Sequence, residues 1–254
     1  PTAIGIGLVL GLMALSRPTE IIAVLIPLLW GVSRGSDWKA QFAKFKAHAP
    51  QLLLAMVLVV AIGSIQLFYW KSVTGQWIYY SYQDQGFDWL RPHLSEGLFS
   101  YKAGWLVYTP LMVFGLLGFY PLLRHQKTLF TPLFVHILMF IYVAFSWSIW
   151  WYGGSFGRRP MVQAYAVLAF PLAAFLEWAF GARSQVQETV KRQWWQYVVA
   201  GIIALFVWHN LYFTHQAHRG GLYLTEQMNN AYFWRIIYKF DRDPEDKLRL
   251  DTRE

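Results

Sequence analysis

The sequence of 254 residues contains no cysteine and little charge. Without cysteine it can form neither a disulfide nor a metal site with thiolate ligands. Asp, Glu, Lys and Arg make up 14% of the residues, whereas a soluble domain usually contains about 25%. The sequence also lacks the P-loop, the dinucleotide-binding glycine motif, the GxSxG elbow and the HExxH zinc motif. These absences argue against a soluble domain, a nucleotide-binding fold and a tightly held metal site.

Apolar residues are abundant instead, and they occur in long blocks. Hydrophobic residues account for 56% of the chain, with 14 Trp, 15 Tyr and 19 Phe. A membrane-spanning helix needs about 20 consecutive apolar residues. Five stretches meet this length and predict full spans: 51–70, 104–123, 129–150, 161–180 and 196–213. The predicted fold is an all-α, polytopic transmembrane helical bundle.

The N-terminal apolar block differs from these five stretches. Its two parts, 3–15 and 21–32, are each too short to span a bilayer, and "SRPTE" separates them. Pro18 cannot continue the preceding helix, and it moves Arg17 away from helical geometry. We therefore expect a broken helix or a hairpin of two short helices. The first residue is Pro, and we expect the chain to be the C-terminal part of a longer one.

The distribution of Lys and Arg predicts the orientation in the membrane. The loops at 33–50, 124–128 and 181–195 contain nine Lys and Arg residues, against five in the loops at 71–103 and 151–160. Basic loops stay in the cytoplasm, so the second group of loops is predicted to be extracytoplasmic. The same rule accounts for the net charge of +8 without a nucleic-acid partner. The lipid bilayer is the predicted partner.

The chain is expected to have two parts. Residues 1–213 form the transmembrane domain, and 214–254 form an extracytoplasmic C-terminal tail that is partly helical. The last 14 residues of the tail are nearly all charged or polar, so we expect this end to be disordered.

Charged residues that could carry chemistry gather in the predicted outer loops. The loop at 81–105 contains Asp84, Asp88 and Lys102. The opposite loop contains "WWYGGSFGRRP", in which Arg158 and Arg159 follow three glycines and precede a span. Free backbone N–H groups at a helix start, together with guanidinium groups, favour a phosphate or pyrophosphate. The alternative is that both arginines extend to lipid headgroups.

Arg17 and Glu20 form a second unusual pair, because both lie within an apolar block. Charged groups in a membrane are costly unless they are paired or face a polar cavity. They could form a structural ion pair or contribute to function.

Three stretches in this order resemble the C-terminal half of bacterial multi-span glycosyltransferases: "GLMALSRPTEIIAVLIPLLWGV", "LFSYKAGWLVYTPLMVFGLLGFYPLL" and "WWYGGSFGRRPMVQAYAVLAFPLAAFLEW". These enzymes form the glycosyltransferase C superfamily, which is related to dolichyl-phosphate-mannose protein mannosyltransferases, and the Bacteroidetes-type members are the most similar. The resemblance covers most of residues 1–235. It implies a multi-pass protein of the bacterial inner membrane whose C-terminus is extracytoplasmic.

The resemblance also implies an activity. Such inverting enzymes transfer a sugar from a polyprenyl-phosphate donor to a lipid, glycan or protein acceptor on the outer face. Arg158 or Arg159 would bind the lipid phosphate, Lys102 would assist, and Arg17 would line the cavity. The family's catalytic carboxylate lies in an earlier outer loop that these residues do not include, so this portion alone is expected to be inactive. Asp84 and Asp88 are the remaining acidic candidates for contact with the acceptor or with a divalent cation.

Two other functions stay open at this stage. A transporter or flippase for a lipid-linked or anionic substrate would also use arginines and broken helices. A non-catalytic membrane subunit would use the same residues for assembly only.

Overall fold

The computed structural model describes residues 2–33, 37–82, 84–181, 190–241 and 243–250, and these form helices joined by loops. Within these ranges, four helical segments are long and apolar enough to cross a membrane: Ala49–Thr74, Lys127–Phe145, Met161–Phe180 and Gln193–Gly220. These helices confirm the prediction of a helical membrane protein with several spans, although they number four and not five within these ranges. The chain divides into two compact units, Pro1–Gly86 with Gln126–Phe140, and Phe87–His125 with Ile141–Glu254.

The first unit begins with two short helical pieces. Helix α1 covers Thr2–Ser16, and a 3₁₀ helix at Pro18–Val24 continues into α2 at Leu25–Leu29. Arg17 divides them, with an extended backbone at φ −149° and ψ 120°. Neither piece reaches the length of a span, as the two short apolar stretches in the sequence predict.

Helices α3 (Asp37–Ala47) and α4 (Ala49–Thr74) follow. α1 packs closely on α4, because Gly7 and Gly11 present no side chain there. A Cβ atom at Gly7 would lie 2.8 Å from the carbonyl oxygen of Ala55. Glycines four residues apart allow this close approach of two helices in a membrane.

The second unit contains the main departure from the predicted spans. The stretch at 104–123 does not form one continuous helix. It forms three short ones, α6 at Trp105–Tyr108, α7 at Met112–Leu117 and α8 at Phe119–His125. The first break is at Thr109 (φ −134°, ψ 61°), directly before Pro110. A residue before proline is disfavoured in the helical region, which explains the position of this break.

The divided segment still runs alongside α10 (Met161–Phe180) in the same direction. The indole of Trp105 donates to the hydroxyl of Tyr165 at 3.2 Å. Further along both segments, the ring of Phe114 stacks on Phe175 with 4.7 Å between centroids. The two segments are therefore parallel neighbours.

Helix α11 (Val190–His215) runs in the opposite direction along the same group. Gln196 lies at its first turns and donates to the carbonyl of Ala179, near the end of α10, at 3.4 Å. Asn210 lies at its other end and donates to the carbonyl of Tyr108 at 2.8 Å.

The tail belongs to the second unit and contains further helical segments. A π-helical turn at Gln216–Gly220 follows α11, and α12 covers Asn230–Ile236. Its residues pack in an apolar cluster with the ends of α6 and α11, formed by Tyr108, Tyr212, Phe213, Leu222, Tyr223, Met228, Tyr232, Phe233 and Ile236. Pro244–Arg249, within the end expected to be disordered, forms a 3₁₀ helix. Arg242 and 251–254, which belong to the same expectation, lie outside the described residues.

Candidate functional site

The loop at 87–103 is fixed against the end of α9 (Lys127–Phe145). Phe87 and Trp147 form an antiparallel β-bridge. The amide of Asp88 donates to the carbonyl of Ser146 at 2.6 Å, and the amide of His93 donates to that of Phe145 at 2.9 Å. A short helix, α5 (Leu94–Phe99), continues the loop. Backbone hydrogen bonds thus join this loop to the last residue of α9 and to the residue that follows it.

Arg158 occupies an aromatic cage at the centre of this region. Its side chain is buried, with 4% exposure. The guanidinium carbon lies 4.1 Å from the ring centre of Phe145, 5.1 Å from that of Tyr152 and 6.0 Å from that of Trp150. Nη2 donates to the carbonyl of Ala144 at 2.9 Å. The cage stabilises the cation through the negative faces of the rings.

The cage leaves part of the guanidinium without hydrogen bonds. Nε and Nη1 of Arg158 are buried and have no hydrogen-bond partner among the described residues. Burial lowers the pKa of Arg158 to about 10, so the group stays charged at neutral pH. A buried donor without an acceptor costs about 1–3 kcal/mol, and more when it is charged. This combination favours an anion as the missing partner.

Lys102 lies against the neighbouring tryptophan. Its Nζ is 4.0 Å from the ring centre of Trp151. The rings of Trp150 and Trp151 meet edge to face at 5.7 Å. Arg158 and Lys102 therefore contact adjacent members of one tryptophan pair, which brings two of the predicted phosphate ligands into one region.

Asp88 is paired with a histidine whose ring lies near Trp150. Its carboxylate is 3.3 Å from Nε2 of His93. The His93 ring lies 6.5 Å from the ring of Trp150. Both polar side chains are partly exposed, at 28% for His93 and 51% for Asp88. A carboxylate paired with an imidazole is suited to accepting a proton from a hydroxyl group.

The other predicted site residues have different surroundings. Arg159 is exposed, although it is adjacent to Arg158. Arg17 and Asp84 belong to the first unit. Arg17 lies at the break after α1, where its carbonyl accepts the amide of Glu20 at 2.9 Å, and Asp84 is exposed.

The glycine-rich loop takes up left-handed backbone at several positions. Gly153 and Gly157 have φ of 64° and 54°, and Tyr152 has φ of 57°. A bulky residue rarely adopts this conformation, and it persists only where the surroundings enforce it. Here the Tyr152 hydroxyl donates to the Ala144 carbonyl at 2.9 Å, the acceptor that Arg158 also uses.

Sequence reasoning did not identify the residues that shape this site: Phe145, Trp150, Trp151, Tyr152, His93 and Tyr223. The tryptophans and Tyr152 precede the two arginines in the same stretch of sequence, and this proximity was the available signal. Nothing in the sequence indicated Tyr223, which comes from the tail.

Within the described ranges, no group of three or more His, Asp or Glu side chains could hold a metal ion. No protein family matches the chain, and neither a curated protein nor a solved structure is similar to it.

Proposed function

We propose that this chain forms the phosphate-binding part of an inverting membrane glycosyltransferase. It would transfer a sugar from a polyprenyl-phosphate donor to an acceptor on the extracytoplasmic face of the bacterial inner membrane. The observation that carries this proposal is Arg158, a buried cation with two nitrogen atoms that lack a hydrogen-bond partner among the described residues. Lys102 lies beside the same tryptophan pair and would assist it.

The arrangement suits a reaction in which negative charge develops on a phosphate. When the sugar leaves its donor, the bond to the phosphate oxygen breaks and the lipid phosphate gains charge. A cation that is already in place and shielded from water stabilises that charge more strongly than one in bulk water. Nε and Nη1 of Arg158 are out of solvent contact, so the cage of Trp150 and Tyr152 has to open for the phosphate to reach them.

The acceptor side of the reaction requires a base. Asp88 is an acidic residue of this region, and it contacts His93, whose ring lies near Trp150. The roles that the resemblance gives to Arg17, Arg159, Asp84 and a divalent cation stay predictions.

We further propose that the divided segment 104–125 crosses the membrane as a fifth span. Its support is the parallel packing along α10 and the antiparallel packing along α11. A broken helix is tolerated in a membrane where neighbouring helices satisfy its freed backbone groups. Asn210 does so for Tyr108, whose carbonyl accepts its side-chain amide.

Transport of an anionic or lipid-linked substrate is the second candidate. One observation favours it: Glu20 and His136, both in apolar helical segments of the first unit, are buried at 8% and 4% exposure. Ionisable side chains buried in a membrane commonly mark a transport path.

The test compares arginine variants in the natural full-length polypeptide, reconstituted in proteoliposomes. Arg158→Gln removes the charge and keeps much of the volume. We expect transfer from polyprenyl-phosphate hexoses to fall roughly a hundredfold, equivalent to about 3 kcal/mol. Affinity for polyprenyl phosphate is measured in parallel by binding of the radiolabelled lipid, and we expect it to weaken as well.

Arg124→Gln is the matched control, because Arg124 is exposed and also lies against an aromatic ring, that of Tyr120 at 5.3 Å. It should leave both quantities unchanged. Unaltered transfer and unaltered lipid binding in Arg158→Gln would reject the phosphate role. Movement of the intact lipid-linked sugar across the bilayer, with no transfer product, would favour the transporter.

A further inference from the structure

The tail contributes a segment, 222–225, that lies against both loops of the candidate site. The hydroxyl of Thr225 donates to the carbonyl of Ser155 at 3.0 Å. The ring of Tyr223 meets that of Phe156 at 5.2 Å and that of Tyr108 at 5.1 Å, both edge to face. The tail is therefore part of the wall around the glycine-rich loop.

The hydroxyl of Tyr223 joins the two loops directly. It accepts a hydrogen bond from the amide of Gly157 at 3.1 Å. It donates to the carbonyl of Lys102 at 3.2 Å. Gly157 is the residue before Arg158, so a single buried hydroxyl connects the backbones next to both predicted phosphate ligands. Burial raises the pKa of the Tyr223 hydroxyl, so it stays protonated and can act as the donor to Lys102 at neutral pH.

The contact at Gly157 affects the placement of the next residue, Arg158. The left-handed backbone of Gly157, φ 54°, sets the direction in which the chain enters Arg158. Glycine adopts this conformation at no steric cost but is free to leave it, so a fixed direction needs support from a contact. The Tyr223 hydroxyl supplies that support through the Gly157 amide.

We propose that Tyr223 is a positioning residue, whose hydroxyl fixes Arg158 and Lys102 relative to each other. The proposal rests on the proposed function of Arg158 as a phosphate ligand. The tail thus completes the phosphate site instead of forming a separate extension. Errors of about 1 Å in the placement of a reacting group can reduce a rate by roughly a hundredfold.

Tyr223→Phe tests this proposal, because it removes the hydroxyl and keeps the ring that packs on Tyr108 and Phe156. We expect hydrogen exchange at the Gly157 amide to accelerate roughly tenfold, as for loss of one hydrogen bond. We expect transfer from polyprenyl-phosphate hexose by the full-length polypeptide to fall roughly tenfold or more. The melting temperature should change no more than in the control.

Tyr212→Phe is the control. Tyr212 is also a buried tyrosine of the same apolar cluster, and its hydroxyl donates to the tail carbonyls of Ile236 and Lys239. It should affect tail stability without changing exchange at Gly157. In the Arg158→Gln background, Tyr223→Phe should slow transfer by a smaller factor than it does in the wild type, because a residue that acts through Arg158 gives non-additive effects.

Two results would overturn the positioning role. One is a transfer rate in the double variant that falls by the product of the two single effects. The other is a Tyr223→Phe variant whose Gly157 amide exchange and transfer rate equal those of the wild type. The two proposals fail in different ways. Normal transfer in Arg158→Gln rejects the phosphate role, whereas loss in Arg158→Gln with wild-type behaviour in Tyr223→Phe rejects only the role of Tyr223.

Discussion

Arg158 and Arg159 are neighbours in the chain, yet one is buried and the other is exposed. Both lie at the start of α10, where their carbonyls accept the amides of Met161 and Val162. They belong to the turn that leads into this helix, where one side chain can face the protein while the next faces away. The aromatic cage then gives Arg158 a fixed position that Arg159 lacks. We therefore propose Arg158, and not Arg159, as the main phosphate ligand.

Asp246 offers a prediction about the pH dependence of the tail. Its carboxylate is buried and accepts hydrogen bonds from Lys239 and from Nε of Arg235. These bonds lower the pKa of Asp246. The stabilisation is therefore complete above the ordinary pKa of about 4 and is lost as the pH falls through the lower, folded value. Amide hydrogens in 230–250 should stay protected, relative to the intrinsic exchange rate at each pH, from neutral down to mildly acidic pH. They should lose this protection in stronger acid.

Asp246→Asn should show fast exchange in this segment already at neutral pH. The chemically identical change at the exposed Asp241 is the control. Slow exchange in Asp246→Asn at neutral pH would show that the two ion pairs do not hold the tail.

The helices show why one predicted span is divided into short helices while others are continuous. Pro132 lies inside α9 and Pro171 inside α10, and both helices continue through them. Pro110, by contrast, coincides with a break before α7. The steric effect of proline is the same in each case, so the outcome depends on which neighbouring groups satisfy the freed backbone.

Gly118, between α7 and α8, allows the divided segment to contact α10. A Cβ atom there would overlap the carbonyl oxygen of Pro171. Because this obstacle is backbone and cannot rotate away, Gly118→Ala should lower the free energy of unfolding by about 2–3 kcal/mol. The measurement is the unfolding transition in detergent, followed by tryptophan fluorescence.

Gly201→Ala is the matched control, since a Cβ atom at Gly201 in α11 would meet nothing within 4 Å. It should change stability by no more than about 0.5 kcal/mol. Equal stability in the two variants would mean that α8 and α10 are not packed this closely.

The length of the apolar stretches was sufficient to predict a helical membrane protein. Four of the predicted spans overlap the long helices α4, α9, α10 and α11. The charges in the loops indicated Arg158 and Lys102 as functional candidates. These sequence patterns could not predict which arginine is caged, because this depends on Phe145 at the end of one helix and on Tyr152 in a strained turn. They could not predict Tyr223 either, because its two contacts join residues that are 66 and 121 positions away in sequence.

The chain has two units, and in each of them an arginine lies at the end or break of an apolar helix, Arg17 in the first and Arg158 in the second. In the second unit, the loops at 87–103 and 146–160 and the tail converge on one caged cation. The segment 104–125 begins at the Arg158 end of α10 and packs along that helix. The proposed extracytoplasmic site therefore depends on the proposed membrane crossing of this segment.

Single cysteines test that crossing without interference, because the chain contains none of its own. We choose exposed positions: Ala43 and Gln126 for the predicted cytoplasmic side, and Leu90, Gly154 and Leu248 for the outer side. A maleimide that cannot cross membranes should label the cysteines at 90, 154 and 248 in intact spheroplasts. It should label those at 43 and 126 only after permeabilisation. Positions 90 and 126 flank the divided segment, so labelling of both from the outside would show that 104–125 does not cross, and the proposed site would lose its common face.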